Sequence, residues 1–592
     1  MDWPVWRKLA RPRPAGPSPR VALAFAIAAG FGLAIFAIWW MTAPGSPAAG
    51  PEGPALRTEA APPKPAGADP AGPEGPALRT ALPRGGVLTG SIDATGDALA
   101  RLRHATLVRI NRSTDSVEPW LAESWTASAD NLAYTFKLRP NVRWSDGTPL
   151  TAEDIVASVA NVQVMGTSLA ARGVDPLTIE ITFAAPFAPG LRILDHHPIL
   201  PRHRPADAAG LGPFVMGPTA FAEAPAVKKG PALRTVGDAW RLVRNPHYWR
   251  TAPDKAPLPY IDELQLHAPA MAAAPTGQHD FGDSPIHAED YEGLKKVEQS
   301  GKARLFELGP GLDADALWFA PARTAAGASR RSAEGAKADL PWLTDERFRL
   351  AISAAVDRRE YCKQVFFGAC DPILLPVTHA NAAWFNPDLP LGRGNPQVAR
   401  EMLAGMGLRD RTGDGILEDA ARRQVRFSLL IRRDVASSTR AAAFLKDTLR
   451  AAGVEVDITP LDANALGARR LKGNYDAIYD LIRFRDTDPA MNLDFWLSSG
   501  EAHVWNGGPP RRPFDWEREI DRLMLKNAGT FDRIERLQAF VDVQRIYSQH
   551  MPALFFGAPH VRVFTSTRVL NATPSPLRPH LLWNAESLAA LQ

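Results

Sequence analysis

Cysteine is scarce in this chain, and the sequence motifs of the common enzyme classes are missing. Two cysteines, Cys362 and Cys370, stand in 592 residues, which excludes a framework of several disulfides. No nucleophile elbow, P-loop, HExxH motif or glycine-rich dinucleotide loop occurs in the sequence. Carboxylate pairs such as Asp486 and Asp488 are present, but no pattern orients a substrate against them. The sequence therefore predicts neither a catalytic site nor a bound cofactor.

A net charge is also missing from most of the chain, although the whole sequence is formally basic. Five arginine and lysine residues and one aspartate stand in residues 1–20, so the entire formal excess of +4 lies there. The remainder has equal numbers of acidic and basic residues, and a basic face for nucleic acid is not expected. We therefore predict no nucleic-acid partner.

The basic tail precedes an uncharged run, residues 21–41, which is rich in alanine, isoleucine, leucine and phenylalanine. About twenty such residues cross a bilayer as a helix. The basic residues before the run place the tail in the cytoplasm and the body outside. The alternative is a cleaved signal sequence, for which residues 46–48 offer only a weak cleavage site. We predict a body anchored to the inner (cytoplasmic) membrane and facing the periplasm or another extracytoplasmic space.

Residues 42–86 have few bulky apolar side chains and are dominated by proline, alanine and glycine. Such a segment buries too little surface to fold and is typical of a semi-rigid linker. The sequence GPEGPALRT occurs twice in it, at 50–58 and 72–80, and GPALRT recurs at 230–235. The repeat has two interpretations, an inserted element tolerated at the surface or a short motif that binds a partner.

Residues 121–158 have the pattern of a compact unit of strand, turn and helix. Apolar and polar residues alternate over 134–138, which is the period of a half-buried strand. Residues 145–149 are typical of a turn, with a glycine that can take a positive φ. Thr151 and Asp154 then form an acidic variant of the capping box, which predicts the start of a helix.

The same stretch resembles the bacterial extracellular solute-binding proteins of family 5, which are the peptide, nickel and oligosaccharide receptors of ABC importers. The family block LAESW…YTFxLRxGVxFxDGTPxTAEDV is close to what stands here. Further blocks resemble the family at residues 210–215, 241–249, 258–264 and 347–361. The resemblance runs essentially without a break from residue 87 to the end of the chain.

The resemblance implies an α/β, two-lobed periplasmic-binding-protein-like fold of type II with an extra N-terminal subdomain, preceded here by a transmembrane helix. The ligand would lie in the cleft between the lobes, and a hinge motion would close the cleft. The predicted divisions are a basic cytoplasmic tail (1–20), a transmembrane anchor or signal (21–41), a linker (42–86), lobe I with the subdomain (87–317), lobe II (318–555) and a return to lobe I (556–592).

The resemblance places the ligand contacts in residues 475–496, which are similar to a loop that lines the pocket in the family. Peptide-binding members hold the α-ammonium of the ligand with an aspartate four residues before a proline. Counted back from Pro489, this position is Arg485, and the aspartate is displaced to Asp486. Arg485 would suit a carboxylate or a phosphate, or would instead pair with Asp486 or Asp488. The predicted ligand-binding residues are Phe484, Arg485, Asp486, Asp488, Asn492 and Trp496.

Two segments are shorter in this chain than in the family, and the first of them forms one wall of the family's cleft. After the first strand, residues 93–97 lead almost directly into a helix, and residues 270–278 also look trimmed. We therefore expect either a more open pocket or a different ligand.

Two clusters have residue types that bind metals, but their spacing does not fit a metal site. Residues 410–419 resemble a calcium loop, yet Thr412 and Ala421 stand where two of its ligands are expected, so a hairpin turn is favoured. Residues 195–197 and His203 match no standard zinc spacing. We predict no bound metal.

The two cysteines lie outside the membrane in this interpretation. An oxidising compartment favours a disulfide, and a separation of eight residues lets Cys362 and Cys370 close a small loop. An isolated pair without a nearby histidine is not expected to bind a metal. We predict a Cys362–Cys370 disulfide.

The function implied by the resemblance is that of an extracytoplasmic solute-binding protein of an ABC importer. It would bind a peptide or a similar small polar solute between its lobes and deliver it to a permease in the inner membrane. The alternative is a sensor or scaffold that uses the same fold without transport. An enzyme on this fold is disfavoured because no catalytic pattern is present.

Overall fold

The computed structural model describes residues 82–92, 97–205, 208–217, 239–267, 279–320, 340–506 and 512–591. These residues belong to one compact unit that spans residues 81–592. The predicted tail, the anchor or signal at 21–41, the linker up to residue 81, the trimmed segment 270–278 and the third repeat lie outside the described residues. In the described part of the chain, no helix is long and apolar enough to cross a membrane.

The first described part is mostly β. Its strands and helices are β1 (Val87–Ser91), α1 (Asp97–Arg103), β2 (Val108–Asn111), β3 (Ser116–Pro119), β4 (Ala122–Ala127), β5 (Ala133–Leu138), α2 (Ala152–Val159), β6 (Gln163–Val164), β7 (Thr167–Ser168), β8 (Ala170–Asp175), β9 (Thr178–Thr182), α3 (Arg192–Asp195) and β10 (Phe214–Met216).

The middle part alternates between strands and helices. It contains β11 (Ala239–Arg244), β12 (Glu263–His267), β13 (Phe281–Gly282), α4 (Tyr291–Gln299), β14 (Ala303–Pro310), β15 (Ala314–Phe319), α5 (Glu346–Ala355), α6 (Arg358–Phe366), β16 (Cys370–Pro372) and α7 (Pro396–Gly405).

The last part contains the longest helices. Its elements are β17 (Arg426–Arg432), α8 (Ala436–Ala451), β18 (Glu455–Leu461), α9 (Ala463–Leu471), β19 (Ala477–Ile482), α10 (Leu493–Trp496), α11 (Asp515–Gly529), α12 (Arg533–His550), β20 (Ala553–Phe555), β21 (Gly557–Ser566), β22 (Val569–Leu570) and β23 (Ala589–Ala590).

Residues 105–211 form the extra N-terminal subdomain around an antiparallel sheet in the order β4-β5-β9-β8. The predicted strand is β5, whose alternate side chains are buried. The predicted turn is present, with Gly147 at φ +87°. The predicted helix is α2, and the Thr151 N–H donates to Asp154 Oδ2 at 3.0 Å. The sequence pattern of this unit is therefore confirmed by the structure.

Lobe I is built on a mixed sheet in the order β10-β11-β12-β1-β13-β21-β14, and β16 pairs with β21 beside this path. Strand β1 runs parallel to β12 and β13, and the other neighbours are antiparallel. Leu88, Phe214 and Phe281 lie fully buried in its core. Strand β21 comes from the end of the chain, as the predicted return to lobe I requires.

Lobe II is built on a sheet in the order β18-β17-β19-β15-β20. Strand β17 is parallel to β18 and β19, whereas β15 is antiparallel to β19 and β20. Phe348 of α5, Leu403 of α7 and Leu445 of α8 share one core with Phe427 of the sheet. The strands β17 and β18 are connected by α8, which is the parallel strand–helix–strand arrangement of an α/β lobe.

The chain passes from lobe I to lobe II at residues 311–313, between β14 and β15, and returns at Phe556, between β20 and β21. The predicted boundary after residue 317 is wrong because it falls inside β15, whose neighbours both belong to lobe II. An apolar run marks a buried strand, but its partners lie far along the chain and decide which sheet it joins. The predicted second boundary at 555 coincides with the return.

The predicted linker is also too long at its C-terminal end. Residues 82–86 lie against lobe I, where Arg84 Nη1 donates to Pro257 O at 2.6 Å. The Gly85 N–H donates to Tyr260 O at 2.8 Å. Composition did not reveal this contact because backbone groups can pair regardless of the side chains they carry.

Cys362 in the middle of α6 and Cys370 in β16 are joined by a disulfide. Both residues are buried in the core of lobe II and its border with lobe I. A Cβ atom added at Gly557, the first residue after the second crossing, would collide with both sulfur atoms. The disulfide therefore packs directly against the backbone where the chain returns to lobe I.

We expect mass spectrometry of a non-reduced digest to show a peptide that links Cys362 to Cys370. Because the loop is short, reduction should lower the free energy of unfolding by about 2 to 3 kcal/mol at most. The double variant Cys362→Ala/Cys370→Ala is the control, since its unfolding should not respond to reductant. Alkylation of both thiols without prior reduction would contradict the prediction.

Candidate ligand-binding cleft

A cavity of about 1460 Å³ lies between the lobes and beside the first crossing. Its wall includes Thr106 of the subdomain, His287 of lobe I, Asp313 of the crossing and Ser438 of lobe II. Pockets for small molecules typically enclose roughly 300 to 1,000 Å³. This cavity therefore has room for a solute larger than a single amino acid or sugar.

The loop that follows β19 carries the predicted ligand contacts, and Asn492 fixes its shape. Its Oδ1 accepts a hydrogen bond from the Arg485 N–H at 2.9 Å. Its amide nitrogen donates to the carbonyl oxygens of Asp486 at 2.9 Å and Asp488 at 3.3 Å. Asn492 is buried and does not line the cavity. It positions the loop from behind.

Asp488 and Trp496 also lie behind the cavity wall. Asp488 accepts from the Ala490 N–H at 3.0 Å and pairs with Arg536 at 2.7 Å. Burial raises the pKa of Asp488, and Arg536 offsets part of this rise. Trp496 packs edge-on against Phe540, with ring centroids 5.3 Å apart. These two predicted contacts therefore support the loop and do not face the cavity.

Phe484 lines the cavity while its ring packs edge-on against Phe495, with centroids 5.0 Å apart. Its N–H donates to Asp313 Oδ1 at 3.3 Å. Its carbonyl oxygen accepts from Arg578 of lobe I at 3.3 Å. Phe484 thus ties the loop to the first crossing and gives this part of the wall an apolar surface.

Arg485 lines the cavity and is solvent-exposed. Its backbone N–H bonds to Asn492, but its guanidinium has no hydrogen bond or ion pair within the described residues. Asp486 and Asp488, the alternative partners that the sequence suggested, are bonded to other cations. The N–H donors of the guanidinium are therefore available to a molecule bound in the cavity.

Asp486 lines the cavity but is already paired. Its Oδ1 accepts from Arg192 at 2.8 Å, and its Oδ2 lies 3.2 Å from His196 Nε2. Burial alone would raise the pKa of Asp486, but the His196 hydrogen bond and the Arg192 charge hold it at about 2. An ionised carboxylate with these partners has little capacity left for a cationic ligand group.

The other arginines of the wall have partners of their own. Among the described arginines that line the cavity, Arg485 is therefore the one whose guanidinium has no hydrogen bond or ion pair within the described residues, since Arg483 interacts electrostatically with Asp313. The pairs in this wall are Arg101–Asp195, Arg112–Asp195, Arg192–Asp115, Arg432–Asp434, Arg440–Glu289 and Arg578–Asp313, while Arg562 pairs with Glu307 behind the wall.

Asp315 of β15 is a second unusual group in the wall. It is buried, and burial raises its pKa to about 7, with Asp480 and Asp313 adding to the rise and a hydrogen bond from Tyr479 opposing it. The sequence analysis missed Asp315. Its one signal was an acidic residue inside an apolar strand, where a charge is costly unless it is paired or neutralised.

The two metal-like clusters are divided among separate contacts. His196 contacts Asp486, whereas His203 contacts Asp146 at 2.8 Å. In the other cluster, Asp410 accepts from the Gly413 and Gly415 N–H groups, as expected for a hairpin turn. In the described part of the chain, no group of three or more metal-ligating side chains has the geometry of a metal site.

The sequence analysis also missed Arg192 and Asp115, which lie at the subdomain end of the cavity. Both stand far from the loop that the resemblance singled out. A charged residue at the start of the short helix α3 was the only local signal, and it did not identify a partner more than two hundred residues away.

Comparison with known proteins identifies the family of this chain and the solved structures that share its fold. Residues 116–503 match the model of bacterial extracellular solute-binding proteins, family 5 Middle. A probable ABC transporter-binding protein of Deinococcus radiodurans is 24% identical over 517 residues, which cover 79% of this chain and 84% of that protein. The periplasmic alpha-galactoside-binding protein of Rhizobium meliloti is 24% identical over 491 residues, which cover 75% and 69% of the two chains.

The fold is shared with solved structures. The oligopeptide-binding protein AppA from Bacillus subtilis, solved with a nonapeptide, aligns with a TM-score of 0.67 at 20% identity. The alignment covers 86% of this chain and all of AppA. The two lobes and the extra subdomain of the structure are consistent with the family match, which covers most of the chain. The chain belongs to the bacterial extracellular solute-binding proteins of family 5.

Proposed function

We propose that this protein captures a solute with an anionic group in its cleft and delivers it to the permease of an ABC importer. The observation that carries the proposal is Arg485, which lines a cavity of about 1460 Å³ and whose guanidinium has no partner in the described residues. A carboxylate or phosphate matches the planar, multiply donating guanidinium. The other ligand-facing residues are Phe484, which supplies apolar contact, and Asp486, which is already paired.

A peptide is one solute class that fits this cleft. Its C-terminal carboxylate would bind Arg485, and its backbone would lie along the cavity wall. An α-ammonium group at Asp486 is disfavoured because Arg192 and His196 already satisfy that carboxylate. Relatives named for peptides and for alpha-galactosides have similar sequences, so the anionic group, and not the peptide nature of the solute, is the property we propose.

The body would work outside the cytoplasmic membrane, held there by residues 21–41. An anchored receptor has a raised local concentration at its permease. Residues 21–41 lie outside the described part of the chain, so the support for this tether is their uncharged, apolar sequence.

Untargeted mass spectrometry of small molecules released from the purified native protein tests the proposal. We expect one carboxylate- or phosphate-bearing solute to be enriched relative to the Arg485→Asp variant prepared in the same way. Calorimetry with that solute should then give saturable binding to the native protein.

Two results would contradict this function. One is a native protein that releases no solute and binds none of a panel of peptides, phosphate esters and dicarboxylates. The other is a bound solute without any anionic group. The first result would favour the sensor or scaffold alternative.

A further inference from the structure

The subdomain and lobe II are joined by a charged contact that the solute-binding function does not require. Arg192 stands at the start of α3 in the subdomain, and Asp486 follows β19 in lobe II. Arg192 Nε donates to Asp486 Oδ1 at 2.8 Å, and Nη2 lies 2.8 Å from the same oxygen. The Asp486 side chain is 1% exposed and that of Arg192 is 14% exposed. The contact is therefore largely shielded from water.

A second bond crosses at the same place. Thr487 Oγ1 of lobe II donates to Asp115 Oδ2 of the subdomain at 2.6 Å. Asp115 also accepts from Arg192 Nη2 at 2.7 Å, so a single guanidinium is held by carboxylates of both parts. His196 adds a third contact to Asp486 at 3.2 Å. Hydrogen bonds to charged groups are stronger than neutral ones, and a network fixes their geometry.

Apolar packing and a backbone bond accompany the charged contact. Ala490 and Ala528 of lobe II belong to the same buried core as the subdomain. The Ala188 N–H donates to Ala528 O at 2.6 Å. The subdomain and lobe II thus meet through a dry surface beside the ion pair, and no solute is needed to bridge them.

Another ion pair, in the cavity wall, joins lobe II to lobe I. There Arg440 of lobe II pairs with Glu289 of lobe I at 3.1 Å, and the two side chains are 24% and 32% exposed. Such a wetter ion pair is screened by solvent and salt and contributes little. The stronger link between the two sides of the cleft is therefore the one made by Arg192.

We propose that Arg192, acting on Asp486, is a built-in latch that holds the cleft closed without a solute. The Arg192 guanidinium is a cation of the protein itself, and it pairs with a carboxylate of lobe II. It therefore makes the link between the two sides of the cleft that a bound solute would otherwise make. The free protein then rests mainly in the closed form, and breaking the latch shifts the population toward the open form. The latch is independent of which solute binds, so it stands or falls separately from the proposed function.

Pulsed electron–electron distance measurements on solute-free full-length protein test the latch. Nitroxide labels are placed at Thr167→Cys on the subdomain and Lys472→Cys on lobe II, both exposed positions. The native cysteines are joined in a disulfide, so only the added thiols react. We expect one short-distance population in the labelled protein with an intact latch. In Arg192→Met, the ratio of open to closed molecules should rise by about tenfold or more.

Matched variants separate the latch from a general loss of structure. Arg172→Met is the control, because Arg172 pairs with Glu180 at 2.8 Å inside the subdomain and should leave the distances unchanged. Asp486→Asn and Thr487→Val should each open the cleft, and they decide the question if Arg192→Met fails to fold. The double variant Arg192→Met/Asp486→Asn should open by less than the sum of the two single effects, since both variants remove the contact that the two residues share.

The proposal would be overturned by identical distance distributions in the parent protein and all three single variants. A parent protein that is already open without solute would overturn it equally. Additive opening in the double variant would show that the two residues act separately, which is also incompatible with a latch.

Discussion

We expect Arg485→Asp to weaken binding of the co-purifying solute by about 100-fold or more in Kd. A desolvated charge pair that loses one partner costs about 3 to 5 kcal/mol, and each factor of ten in Kd corresponds to about 1.4 kcal/mol. Arg485 lines the cavity and its guanidinium has no partner among the described residues, so a bound anion would be its first such partner. Arg485 is exposed in the free protein, and a solute that fills the cavity would shield the pair from water. The reversal places a carboxylate where the solute's own anionic group has to lie. Calorimetry at fixed ionic strength measures the change.

Arg393→Asp is the matched control for this variant. Arg393 is exposed and lies outside the cavity wall, so the same change in net charge occurs at a distance from the solute. The affinity of the Arg393→Asp variant for the solute should equal that of the native protein. If Arg485→Asp and Arg393→Asp bind equally well, Arg485 does not contact the solute and the proposed anionic recognition fails.

We expect Asp315→Asn to remove a large pH dependence of stability. Burial raises the pKa of Asp315 from its ordinary value of 3.8 to about 7. Between these values the folded protein binds a proton that the unfolded chain releases, so stability is lost as the pH rises from about 4 to about 7. One pKa unit corresponds to about 1.4 kcal/mol, so the loss is on the order of 4 kcal/mol. The asparagine stays neutral and does not contribute this loss.

Denaturant unfolding at pH 4.5 and pH 7.5 measures the effect. The free energy of unfolding should fall between these pH values by several kcal/mol more in the native protein than in Asp315→Asn. The exposed Asp388→Asn variant is the control and should follow the native pH dependence. Parallel pH profiles for the native protein and Asp315→Asn would show that Asp315 is ionised in the folded state and that its burial is compensated.

The local elements of this protein are encoded in short stretches of sequence. The alternation over residues 134–138 gave a strand, because successive side chains of a strand point to opposite faces. The pair Thr151 and Asp154 gave the start of α2, because both groups lie within one turn of each other. The loop after β19 was located by its resemblance to the family, with Pro489 setting the register.

The composition of the cleft was predictable only where one local loop supplies it. Phe484, Arg485 and Asp486 of the loop line the cavity, whereas Asp488, Asn492 and Trp496 of the same loop do not line it. A loop's sequence does not state which side chains face outward, because this depends on the surface that covers its other side. Here Asp488 forms an ion pair with Arg536, and Trp496 packs against Phe540 in the aromatic core.

By itself the sequence determined the family, the strand, turn and helix within residues 121–158, and the arginine in place of the usual aspartate. Only the tertiary structure decided that Arg485 has no partner among the described residues, that Asp486 pairs with Arg192, and that β15 is the first strand of lobe II. The physical reason is the same in each case. Ion pairing and sheet membership depend on partners that lie far away along the chain, as Arg192 and Asp486 do. A charged side chain without a partner can be recognised only when the partners of the other charged side chains in the cleft are known.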